Sequence, residues 1–189
     1  MYVMKMVSIT LLCTFLLLPA LLLADQTDQK SKKPENNPVD STTITWLSYD
    51  QGMPLAKETG KHIMVNFTTK WCGYCKKMNK TTFIDPKVVT YLNTHFVSIK
   101  VDGDSPKELD VNGYKITEKN LARAEYRVSG YPTYWFLKAD GDKIGPAPGY
   151  KSPDQMLDLL SFVSDDLYDT MSFADYVKKG GFKSRKEQP

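Results

Sequence analysis

Apolar and polar positions fall into blocks along this chain, and the blocks predict its elements. Residues 7–23 are almost wholly apolar, whereas 25–42 are built mostly from Lys, Gln, Asn, Asp and Pro. From Ile44 onward, short β-branched and aromatic runs alternate with longer mixed ones. The runs 44–49, 63–68, 96–101 and 133–137 read as strands. Between them, 53–59 suits a helix ending at Gly60, and the segment from Lys76 suits a helix that frays at Thr81 and Thr82. Asp85-Pro86 opens a short helix through Leu92, and Thr117 can cap a helix over 118–126. Residues 139–142 carry a hairpin signal, followed by a weak strand over 143–150 that Pro146 and Pro148 push to a sheet edge. Ser152-Pro153 then starts a helix in which Met156, Leu160 and Val163 recur at i, i+4 and i+7. Residues 103–116 show no clear period and read as a surface insertion. Helices that alternate with strands up to a closing hairpin predict an α/β fold, a mixed central sheet flanked by helices on both faces.

The two leading blocks sit outside that domain. Lys5 followed by the apolar run and by Ala24 is a secretory signal pattern, with cleavage expected near Ala24 and an uncleaved membrane anchor as the competing reading. Residues 25–42 read as a disordered linker. The organisation expected is a signal peptide over 1–24, the linker, a folded domain over 43–168, and a tail over 169–189 with a short helix at 173–178. Cys13 lies in the apolar run and would leave with the signal. The mature chain then keeps two cysteines, in a compartment that permits disulfides. The net charge of +3 over 189 residues implies no nucleic-acid partner.

Those two cysteines stand in Trp71-Cys72-Gly73-Tyr74-Cys75, where a buried strand gives way to a helix. Unpaired N–H groups at a helix start favour a Cys72 thiolate, and Cys75 lies on the same face within disulfide reach. Gly73 and Tyr74 are expected to leave the outer sulfur open to a partner. A purely structural disulfide would constrain so short a loop very little. A zinc site needs two more ligands, and His62 and His95 are placed at strand starts, about 20 Å from the strand end that feeds the motif. A redox-active dithiol is the reading that best fits the spacing. Copper binding by the two thiolates, and a non-catalytic interaction module, are the alternatives.

Together with Gly130-Tyr131-Pro132-Thr133 and Gly149, the Trp71–Lys76 motif resembles the thioredoxin superfamily, in particular its secreted bacterial thiol-disulfide oxidoreductases. The resemblance covers about residues 44–166. It implies a thioredoxin-like fold and roles residue by residue: Cys72 as attacking thiolate, Cys75 as buried resolving thiol, and Pro132 as a cis-proline. It also implies that the backbone of Tyr131 pairs with a bound peptide, with Trp71, Gly73 and Tyr74 completing the docking surface. Where many thioredoxins carry a buried aspartate, this chain has Asn66, which cannot ionise, while Lys100 matches the lysine that often accompanies it. Gly73 and Tyr74 add no charge beside Cys72, which argues for a reductase or isomerase over a strong oxidant. The expected partners are cysteine-containing secreted proteins and a membrane thiol electron donor. No cofactor or metal is assigned, and a periplasmic monomer is expected.

Overall fold

The computed structural model describes residues 42–111 and 113–185. The signal and most of the linker expected over 1–42 lie outside the described residues. Seven strands and seven helices follow in order: β1 (Trp46–Leu47), α1 (Tyr49–Thr59), β2 (His62–Thr68), α2 (Gly73–Lys80), α3 (Pro86–His95), β3 (Phe96–Asp102), β4 (Glu108–Val111), β5 (Tyr114–Thr117), α4 (Glu118–Asn120), β6 (Thr133–Leu137), β7 (Lys143–Pro148), α5 (Pro153–Ser164), α6 (Phe173–Lys178) and α7 (Gly181–Arg185).

The central sheet runs β1-β3-β2-β6-β7. β2 pairs parallel with β3 and antiparallel with β6, so it is paired on both sides and covered on both faces. That is why it reads as an unbroken apolar run rather than an alternating one. Alternation along β2 still sorts its side chains. Ile63, Val65 and Phe67 join the core under α1, while Met64 packs on the face carrying α2, α3 and α5. Asn66 shares the face of Met64, beside Lys100 of β3 and Tyr134 of β6, its register partners. Truncating the fully buried Phe67 to Ala would cost about 3–5 kcal/mol.

The helices are fixed by their starts. Asp85 accepts from the N–H groups of Lys87 (2.9 Å) and Val88 (3.2 Å), and Pro86 opens α3. At α5, Ser152 and Gln155 exchange hydrogen bonds of 3.3 and 3.0 Å, a capping box. α1 begins at Tyr49, four residues earlier than its pattern predicts. Gly52 lies so close to Ile99 that a Cβ there would collide with it, so this glycine serves packing and does not break the helix. Pro54 is accommodated inside the same helix.

Three further differences from the sequence reading have physical causes. The insertion at 103–116 contains the antiparallel hairpin β4–β5, held down by Leu109 and Ile116 in the core. The helix expected over 118–126 is a single α-turn that widens into a π-turn over Leu121–Glu125, and Tyr126 N–H bonds back to Leu121 O at 3.1 Å. The segment after Tyr168, expected as a tail, carries the short helix expected at 173–178 (α6) but also packs on α5. There Tyr176 is buried, and its hydroxyl lies 2.7 Å from Ser161 Oγ.

Candidate active site

Strand β2 ends at Thr68, and three residues later the chain turns into α2 with Cys72 as its N-cap. Cys72 and Cys75 form a disulfide, with Cα atoms 5.3 Å apart. The backbone N–H of Cys75 donates to Cys72 Sγ at 3.0 Å. A sulfur at this position faces the unpaired amides of a helix start, which favour negative charge on it. Gly73 opens the helix into free space, and Tyr74 follows it on the surface.

The expectation of an open outer sulfur does not hold in this oxidised form. Cys72 is 3% exposed and Cys75 6%. The Cys72 sulfur is bonded to Cys75 and receives the Cys75 N–H at the first turn of α2. The exposed groups are its neighbours, Trp71 at 66% and Tyr74 at 62%. Both are held in place. The Trp71 indole N–H donates to the carboxylate of Asp104, and its ring meets Tyr131 edge-on with centroids 5.8 Å apart. The Tyr74 ring lies 6.1 Å from that of Tyr150.

Tyr131 therefore joins the motif to a second segment some sixty residues away in sequence. The Tyr131–Pro132 bond is cis. Its turn is anchored by Thr133 Oγ1 donating to Gly130 O (2.8 Å) and by Gly149 N–H donating to Pro132 O (2.8 Å). The Tyr131 hydroxyl occupies the space where a side chain at Gly103 would begin, so any side chain at 103 would displace that ring. Burial, then the Asp104 carboxylate, raise the Tyr131 phenol above its ordinary pKa, while Arg123 opposes them.

On its inner side Cys75 opens onto a cleft of about 530 Å³ lined also by Trp46, Thr69, Lys76, Lys100, Lys107 and Glu118. Lys100 and Asn66 are register partners on β3 and β2, and the Lys100 ammonium lies 5.8 Å from the centre of the Trp46 ring. Asn66 is buried and its Oδ1 has no hydrogen-bond partner among the described residues; the same is true of Thr69 Oγ1. Two carboxylates, Asp102 and Glu118, also line this cleft, and Glu118, only 7% exposed, was missed by the sequence reading. Asp104 and Tyr150 were missed as well, since all three reach the site through long-range packing.

His62 is in a different corner. Its Nε2 lies 3.1 Å from Asp166 Oδ1 and 3.4 Å from the Tyr168 hydroxyl, at the β2 end away from the cysteines. Among the described residues no group of three or more His, Cys, Asp or Glu side chains converges as a metal site would require.

Comparison with known proteins gives consistent matches. The thioredoxin-like domain family matches residues 49–164. A thioredoxin H-type from Oryza sativa subsp. indica is 35% identical over 100 residues, 51% of this chain and 66% of that one. The disulfide bond reductase DsbH of Chlamydia pneumoniae is 23% identical over 111 residues, covering 58% and 66%. Among solved structures, a thioredoxin from Thermus thermophilus superposes with a TM-score of 0.53 at 33% identity, over 64% of this chain and 87% of that one. The chain thus spans 66% of the length of each of the two curated relatives named.

Proposed function

The chain belongs to the thioredoxin-like family, and from that membership we propose that it is a thiol-disulfide oxidoreductase of the cell envelope, reducing or isomerising disulfides of secreted proteins. The observation that carries the reading is the Cys72–Cys75 disulfide at the start of α2, with the Cys75 N–H directed at Cys72 Sγ. The signal pattern of Lys5, residues 7–23 and Ala24 supports export, with cleavage near Ala24. The similarity to a disulfide bond reductase supports the reductive direction.

In the reduced protein the Cys72 thiolate attacks one sulfur of a substrate disulfide. The substrate S–S bond breaks, a Cys72–substrate bond forms, and the departing thiolate takes up a proton. Cys75 then gives up its proton and attacks Cys72 Sγ. The Cys72–Cys75 bond forms as the bond to substrate breaks, and the second substrate thiolate is protonated. Two electrons have passed from the dithiol to the substrate. A membrane thiol transporter is the proposed donor that restores the dithiol.

Each neighbour has a part in this sequence. Amides at the start of α2 hold the Cys72 thiolate. Asn66 cannot take the Cys75 proton, and Glu118, the more buried of the two carboxylates (with Asp102) on the wall of the cleft that reaches Cys75, accepts it through water. Lys100 keeps that cleft cationic. Trp71, Gly73, Tyr74, Tyr131 and Pro132 form the surface on which a substrate segment lies, bringing its sulfur to a Cys72 that is otherwise covered.

Trapping tests the reading. Cys75→Ser, expressed in the native compartment, is expected to accumulate mixed disulfides at Cys72, because attack proceeds and resolution does not. Cys72→Ser is expected to trap almost nothing. In the reduced wild-type protein an alkylating reagent is expected to modify Cys72 first, read by peptide mass analysis. Trapping of equal amounts by both variants would assign the roles wrongly.

A further inference from the structure

Charge is unevenly divided between the two ends of the sheet. At the disulfide end, the segment from Lys70 through α2 carries Lys70, Lys76, Lys77 and Lys80 and no carboxylate. All four lysines are exposed, and among the described residues none is in an ion pair. The cleft beside Cys75 continues the pattern, with Lys70, Lys76, Lys100 and Lys107 facing Asp102 and Glu118. Asp104, the carboxylate bonded to Trp71, is engaged by the indole N–H. Lys77 lies 4.7 Å above the ring of Tyr150, which in turn packs beside Tyr74. The opposite end reverses the balance: Asp140, Asp166 and Asp169 line a pocket there with Lys57, Lys138 and His62.

Neighbouring unpaired ammonium groups repel one another, and Lys70, just ahead of α2, also stands at the positive end of its dipole. Lys77 and Lys80 lie in the last turn, where the dipole favours them. Negative charge brought by a partner relieves the repulsion. Beside the ridge, Trp71 and Tyr74 present large apolar faces that are already held by ring contacts, so docking orders little that is not ordered in advance.

We propose that this face selects proteins whose reactive cysteine or disulfide lies in an acidic stretch, with Asp or Glu within a few residues of the sulfur. Carboxylates of such a segment meet the Lys70–Lys80 ridge while its apolar side chains lie on Trp71 and Tyr74. This inference rests on the exchange reaction proposed above and adds the class of substrate. Long-range charge acts mainly on encounter, so it shows as rate and as salt dependence.

The test uses two peptides of identical length, each joined through its one cysteine to the same fluorescent thiol. Acidic residues flank the cysteine in one and basic residues in the other. The reduced wild-type protein is mixed with each across a series of sodium chloride concentrations. One lysine–carboxylate pair about 8 Å apart in water changes a rate about two- to threefold, so several pairs together favour the acidic peptide about tenfold or more at low salt. That ratio is expected to shrink toward unity as salt rises. In the exposed double variant Lys70→Glu, Lys76→Glu the acidic-to-basic ratio is expected to fall at least about fivefold. Any change in Cys72 reactivity scales both peptides alike and cancels in the ratio.

Equal rates at low salt, or a preference for the basic peptide, overturn the proposal while leaving the exchange reaction intact. Failure of the wild-type protein to exchange with either peptide, or with a small neutral disulfide, overturns the exchange reaction itself. Equal rates together with sedimentation on phosphatidylglycerol vesicles at low salt would assign the ridge to an anionic lipid surface instead, which also overturns it.

Discussion

Tyr134 donates its phenolic hydrogen bond to the sulfur of Met78 across 2.7 Å, with both residues fully buried. The pair ties α2, and with it the cysteine turn, to the centre of the sheet. Removing one partner is not equivalent to removing the other. Met78→Leu keeps the volume but strands a buried hydroxyl, at a cost of about 1–3 kcal/mol. Tyr134→Phe removes the donor and leaves only a weak acceptor, which Lys151 N–H also approaches (3.5 Å), so about 0.5–1.5 kcal/mol is expected. Urea unfolding of the oxidised protein checks the order: Met78→Leu is expected to be the less stable. The reverse order would mean that this bond does not form in solution.

Alkaline pH should weaken the fold through its buried phenols. Burial raises Tyr126, Tyr134 and Tyr49 above their ordinary pKa of 10.0. Tyr126 and Tyr49 also share a hydrogen bond of 2.7 Å. The unfolded chain releases these protons above about pH 10, whereas the folded chain keeps them. Their contribution is therefore fully present below about pH 10 and is lost as pH rises beyond it. The denaturation midpoint is expected to be level from about pH 8 to 9.5 and then to fall. The fall is expected to be shallower in Tyr126→Phe; an equally steep fall there would place the alkaline sensitivity elsewhere.

Glu118→Gln isolates the proton step at Cys75. The mixed disulfide at Cys72 is prepared first, and its resolution is then followed by stopped flow. Near neutral pH the variant is expected to resolve it about tenfold to hundredfold more slowly. As pH rises and the thiol ionises to solvent without help, the difference is expected to close. A constant ratio at every pH would make Glu118 a packing residue only.

Gly103→Ala tests the placement of Tyr131. The added methyl group would occupy the position of the Tyr131 hydroxyl, so the ring must leave its contact with Trp71. Reduction of a protein disulfide is expected to slow about tenfold, because the docking turn shifts relative to the sulfurs. Reduction of a small aromatic disulfide, which needs no docking turn, should change less. Equal losses on both substrates would locate the damage at the cysteines themselves.

What the sequence revealed was local. The apolar run of β2, the two cysteines three positions apart and the prolines of β7 each carry their meaning within a few residues. The first turn of α1 was hidden because Gly52 and Pro54 look like punctuation, and only the packing of Ile99 against Gly52 explains the glycine. The β4–β5 hairpin was hidden because Leu109 and Ile116, one core residue per strand, are too few to set a period. The site was legible in its cysteines and in the Tyr131–Pro132 turn. Asp104, Glu118 and Tyr150 were not, since they reach it from loops and element ends whose positions follow from tertiary packing. The burial of Cys72 is likewise a tertiary fact, and spacing alone carries no sign of it.

The two rims of the central sheet decide whether another chain can add to it as a strand. Gly149 N–H points inward to Pro132 O, so along β7 the amides of odd-numbered residues face β6 and the even positions face outward. Pro146 and Pro148 hold two of those outward positions, where they remove the donors that an added strand would need. The other rim, β1, is only two residues long. Among the described residues neither edge of this sheet offers a long template for strand addition. An extended segment lying on Trp71 and Tyr74 therefore meets side chains there, while the sheet gives it no free row of donors to join.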